Sequence, residues 1–207
     1  MMAITQPSRL KVYELTLALV TWFSIILQLY LTKESVFNFI SYFTILSNLL
    51  VAVSLTCTSI FKYSKVGRYF SLVTMQSAIA LYIFIVGLVY NFVLRGIWEP
   101  QGWQWVADNL LHVVVPVFYI LYWLLFIPKG KLKFKDNIVW TIFPLLYLAY
   151  TLVRGHFTHW YPYPFINVTK LGDAKVCLNI GIMIIAFLLV GLLLICINRF
   201  FLKKATD

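Results

Sequence analysis

Six polar side chains in an otherwise apolar chain are of types that can do chemistry together. Ser41, Thr44 and Asn48 lie in one hydrophobic stretch, and Asp108, Asn109 and His112 in another. Thr44 and His112 each stand about ten residues into their stretch, and both stretches start from the same side. At ~1.5 Å rise per residue, both side chains belong roughly 10–15 Å below that surface. An ionisable group at such depth is costly to keep, which makes His112 a functional-site hypothesis. A histidine beside a threonine hydroxyl can act as general base while the hydroxyl attacks an acyl carbonyl.

The spacing around the pair is favourable. Ser41, Thr44 and Asn48 fall at i, i+3 and i+7, on one helical face, with Ser47 on the neighbouring stripe. Asp108 and Asn109 precede His112 by four and three residues, so either reaches the imidazole from the preceding turn. A carboxylate there would fix the tautomer and stabilise an imidazolium. The amides of Asn48 and Asn109 are candidates to stabilise an oxyanion. Pro116 has no N–H for the His112 carbonyl, which predicts a kink at the histidine.

The elements that must position these residues follow from composition. The chain has 207 residues, 62% hydrophobic and 12% charged, against roughly 25% charged in soluble domains. Residues 1–207 therefore read as a single all-α membrane domain. Six apolar stretches, about 12–31, 37–60, 70–94, 104–127, 137–153 and 175–198, approach the length needed for roughly 30 Å of hydrocarbon. Their continuity excludes a barrel, whose strands alternate polar and apolar residues. The fifth stretch is short and carries Pro144; it begins earlier or is tilted.

With six spans, both termini share a side with the 2–3 and 4–5 loops. Of the 17 Lys and Arg residues, twelve fall on that side and five on the other, which places both termini in the cytoplasm. The +10 net charge is then a topology signal with attraction to anionic lipid headgroups. Nucleic acid is not an expected partner, because no basic stripe lies on a soluble surface. The three cysteines form no disulfide framework or CxxC pair.

Most intramembrane polar groups collect in the extracytoplasmic halves of the spans, which predicts a shared polar pocket lined by spans 2 to 5. Ser41, Ser47, Asn91, Arg95, Arg154, Tyr161 and Tyr163 are expected to line it. Arg95 and Arg154, near its mouth, are suited to a carboxylate or phosphate headgroup. Residues 154–174 read as an extracytoplasmic loop stiffened by Pro162 and Pro164 that roofs the pocket.

The sequence Tyr42-Phe43-Thr44-x-x-Ser47-Asn48 in span 2 and Asn109-x-x-His112-x-x-x-Pro116 in span 4 resembles the androgen-induced family of integral membrane hydrolases. It is more closely similar to that family's bacterial six-span relatives. Arg154-Gly155, followed by Trp160-Tyr161-Pro162-Tyr163-Pro164-Phe165, looks like the signature of the bacterial branch. The resemblance implies a bacterial inner-membrane location and an intramembrane threonine hydrolase. Thr44 and His112 would be its essential pair, acting without a cofactor on a membrane lipid such as a fatty acid ester of a hydroxy fatty acid.

Two other classes stay open at this stage. The same cavity suits a non-catalytic lipid- or small-molecule-binding protein, or a transporter, although no internal repeat of the common transporter kind is present. His156 and His159, with His112, are enough nitrogens for a zinc ion, but the chain lacks HExxH or a similar motif. No metal is therefore expected. The sequence carries no signal for oligomeric state.

Overall fold

The computed structural model describes residues 8–97 and 99–203. Residues 1–7 of the N-terminal stub and Lys204, counted above among the basic residues, lie outside them. The described residues are helical, with no strand. In chain order the helices are α1 (Ser8–Leu31), α2 (Val36–Phe39), α3 (Phe43–Ser59), α4 (Lys65–Phe70) and α5 (Val73–Val89). There follow α6 (Gly102–Asn109), α7 (Val115–Phe126), α8 (Phe134–Thr158), α9 (Val168–Leu171) and α10 (Asp173–Lys203). A π-helical turn over Tyr90–Leu94 extends α5, and another over Leu110–Val114 joins α6 to α7.

Among the described residues five helical stretches are long and apolar enough to cross a membrane: Ser8–Leu31, Val73–Leu94, Gly102–Phe126, Phe134–Thr158 and Asp173–Phe200. The expected second span, 37–60, differs. It breaks at residues 40–42 into the single turn of α2 and the 17 residues of α3. Seventeen residues reach about 26 Å at 1.5 Å each, somewhat less than the hydrocarbon thickness. One local bond and one long-range bond hold the break. Ser35 caps α2 by accepting from the Asn38 backbone N–H at 3.2 Å. The Ser41 carbonyl, just past α2, takes a hydrogen bond at 2.9 Å from the hydroxyl of Tyr147.

The fifth span is longer than expected. It starts at Phe134, where the Asp136 carboxylate accepts the Lys133 N–H at 2.7 Å. It ends at Thr158, with His159 in the left-handed region at φ 54°. Arg154 therefore stands on α8 and not in a loop, and Thr158 and the residues before it leave the expected 154–174 segment. The rest of that segment is ordered by a 3-10 turn over Pro164–Ile166 and by α9. Gly155 lies inside α8. Here it makes room within the helix, because a Cβ would collide with the ring of Tyr161.

The chain divides into two compact units. The first comprises residues up to 33 and 44–128; the second comprises 34–43 and 129 onward. The first has a core of Val51 and Leu55 from α3, Ile79 and Ile83 from α5, and Tyr119 and Trp123 from α7, all fully buried. Several polar side chains within it are bonded to one another, which lowers the cost of holding them in an apolar bundle. Tyr122 donates to Glu14 at 2.7 Å, Tyr119 to Gln76 at 2.6 Å and Trp123 to Ser77 at 2.8 Å. In the second unit Phe43 packs against the rings of Phe143, Tyr147 and Phe187, with centroids 5.7, 5.1 and 5.9 Å away.

Candidate active site

Thr44 and His112 meet inside the first unit. The Thr44 hydroxyl lies 3.3 Å from Nε2 of His112. The other ring nitrogen, Nδ1, is 2.9 Å from the Asp108 carbonyl oxygen and 3.2 Å from Asp108 Oδ1. With both acceptors at Nδ1, the proton of a neutral imidazole belongs there, which leaves Nε2 to accept from the threonine. Thr44 is 7% and Asp108 6% exposed, so the chain hydroxyl–imidazole–carboxylate is largely withdrawn from solvent. Of the two partners left open by spacing, Asp108 meets the ring. Asn109 instead donates to the Trp105 carbonyl at 2.9 Å.

Tyr90 completes the arrangement, and sequence reasoning missed it. Its ring stacks on the His112 ring with centroids 4.3 Å apart and planes 14° from parallel. Its hydroxyl donates to Asp108 Oδ2. The carboxylate thus has a partner for each oxygen, which offsets the cost of holding it in an apolar bundle. Nothing in the spacing singles out Tyr90 among the 13 tyrosines of the chain.

The two π-helical turns place these rings. Tyr90 begins one and His112 is central to the other, and such one-residue widenings occur frequently at functional sites. Pro116 explains the second. It cannot donate to the His112 carbonyl, and the helix accommodates the missing bond by widening before it. The predicted kink is therefore a π turn. Gly87 brings α5 against this region: a Cβ there would meet Pro116 Cβ at 3.3 Å and the His112 oxygen at 3.4 Å.

Asn48 has a different part from the one expected. It is fully buried, and its amide nitrogen donates to the carbonyls of Thr44, at 2.8 Å, and of Leu111, at 3.2 Å. With both N–H groups engaged it holds the Thr44 turn to the His112 turn and has no donor left for an oxyanion. The Ser47 hydroxyl, one turn beyond Thr44, is fully buried and has no hydrogen-bond partner among the described residues.

The remaining predicted pocket residues fall into separate groups. In the first unit Asn91 donates to the Gly87 carbonyl at 2.8 Å and accepts from exposed Arg95 at 2.9 Å. In the second unit Arg154 donates to Ser41 at 3.1 Å and to Asn38 at 2.6 Å. Tyr150 meets the Ser41 hydroxyl at 2.8 Å. Tyr161 lies against Gly155, and Tyr163 stacks on Phe165 with centroids 5.2 Å apart. Among the described residues no group of three or more His, Cys, Asp or Glu side chains is arranged to hold a metal ion.

Comparison with protein families, with curated proteins and with solved structures returns no match for this chain.

Proposed function

We propose that this chain is an integral membrane hydrolase of a lipid ester, with Thr44 as nucleophile and His112 as general base. The observation that carries the reading is the 3.3 Å approach of the Thr44 hydroxyl to Nε2 of His112, whose Nδ1 is held by Asp108. Nucleophile, base and orienting carboxylate are within the reach that acyl transfer requires. In the proposed step the threonine proton passes to Nε2 while Oγ1 bonds to the acyl carbon. The proton then leaves with the alcohol as the ester C–O bond breaks. Water, activated by the same nitrogen, cleaves the acyl-threonine and restores both groups. The resemblance stated above suggests fatty acid esters of hydroxy fatty acids as substrates.

The same reading includes α3 as a sixth span, short enough to need local thinning of the bilayer. Both termini then face the cytoplasm of a bacterial inner membrane.

A fluorophosphonate probe tests the chemistry on purified protein in detergent. Labelling of the wild type that vanishes in Thr44→Ala and His112→Ala, and survives in Ser47→Ala, supports an activated threonine. Folded wild-type protein that takes no label overturns the reading in favour of a non-catalytic lipid-binding protein or transporter.

A further inference from the structure

A second group of polar residues, wholly within the second unit, has a charge without a counter-charge. Arg154 is half-buried on α8, four residues before the helix ends. Its guanidinium donates to Ser41 Oγ at 3.1 Å and to Asn38 Oδ1 at 2.6 Å, and it lies 4.6 Å over the Trp160 ring. All three partners are neutral, and among the described residues no carboxylate is within ion-pair distance of it. A cation in an apolar segment is ordinarily paired with an anion.

The group is also fixed and has donors to spare. Ser41 gives its proton to the Phe37 carbonyl at 2.6 Å. Its two lone pairs therefore accept from Arg154 and from the Tyr150 hydroxyl. The serine is saturated and holds the guanidinium in one orientation, while Trp160 covers one face of it. Two guanidinium N–H groups are engaged, which leaves the others of its five. The Asn38 side-chain N–H2 group, beside the oxygen that takes Arg154, donates to nothing among the described residues. Arg95 offers no such site: it is exposed, and its contact is one asparagine on its own helix segment.

We propose that Arg154 and Asn38 bind the oxyanion head of an amphiphile, a carboxylate or phosphate taken by the guanidinium fork and the asparagine amide. A planar fork with parallel N–H groups suits two oxygens of one oxyanion. The site stands on residues of the second unit alone and does not depend on Thr44 acting as a nucleophile.

Binding is measured on the Thr44→Ala protein in dodecyl maltoside by native mass spectrometry, so that no turnover intervenes. Oleate, dioctanoyl phosphatidic acid, inorganic phosphate and uncharged oleyl alcohol are compared. The expected result is at least tenfold tighter binding of an anionic amphiphile than of oleyl alcohol. Arg154→Gln removes this discrimination. Asn38→Asp, which places an internal carboxylate on the same guanidinium, removes it too while keeping the arginine. Inorganic phosphate that competes with the amphiphile identifies the free ion as a source of the same chemistry. Folded Asn38→Asp or Arg154→Gln protein, judged by helical circular dichroism, that keeps the wild-type discrimination overturns the proposal. Equal binding of oleate and oleyl alcohol by the parent protein overturns it as well.

Discussion

The two units treat buried polar groups in opposite ways. In the first, Thr44, His112, Asp108 and Tyr90 form a line in which each proton has a neighbouring acceptor to move toward, and the hydroxyl at its end is largely buried. In the second, Ser41 is saturated by Phe37, Tyr150 and Arg154, and its hydroxyl has no base beside it. Both units thus contain an alcohol in a polar cluster three residues apart in sequence. Only the one aligned with an imidazole has the makings of a nucleophile. A hydroxyl's reactivity is set by what accepts its proton, and the same residue type bonded to a carbonyl is inert.

The contrast is open to direct attack. His112→Ala and Thr44→Ala are expected to lower the rate of fluorophosphonate labelling by about 10³-fold or more, because nucleophile and base act as a unit. Asp108→Asn keeps the shape but offers Nδ1 an ambiguous partner; a fall of about 10²-fold in labelling rate is expected. Wild-type labelling in that variant would reduce the carboxylate to a packing role. Tyr90→Phe keeps the stacked ring and removes the donor to Asp108. A loss of about 10-fold in labelling rate is expected, within the range for partners that orient a working histidine. Two substitutions in the second unit, away from Arg154 and Asn38, are expected to act on stability. Gly155→Ala drives a methyl into the Tyr161 ring and is expected to cost about 1–3 kcal/mol in denaturant unfolding. Tyr147→Phe takes the hydroxyl from the Ser41 carbonyl and is expected to cost about 1 kcal/mol in the same assay.

How far these features were legible in the sequence depended on their range. Uninterrupted apolar runs reported the long helices, since such a run has few alternatives to a span. Thr44, His112 and Asp108 were legible because depth and the i, i+4 relation are local properties of a helix. The break at 40–42 was not, because it relies on Tyr147 and Arg154, more than 100 residues further along. The same limit hid Tyr90, whose ring and hydroxyl meet α6 and the turn after it through tertiary packing. Arg154 was placed in a loop because the apolar run ends at 153, whereas α8 continues to Thr158 with Gly155 admitting the Tyr161 ring.

Asn48 gives the first unit a mechanical property. One amide nitrogen donates to the Thr44 carbonyl within α3 and to the Leu111 carbonyl in the π turn of His112, so the second bond is the one that ties the helix to that turn. Separating Thr44 from His112 therefore leaves a buried amide N–H without its acceptor, a cost of about 1–3 kcal/mol. Asn48 thus acts as a strut that sets the distance between the Thr44 turn and the His112 turn.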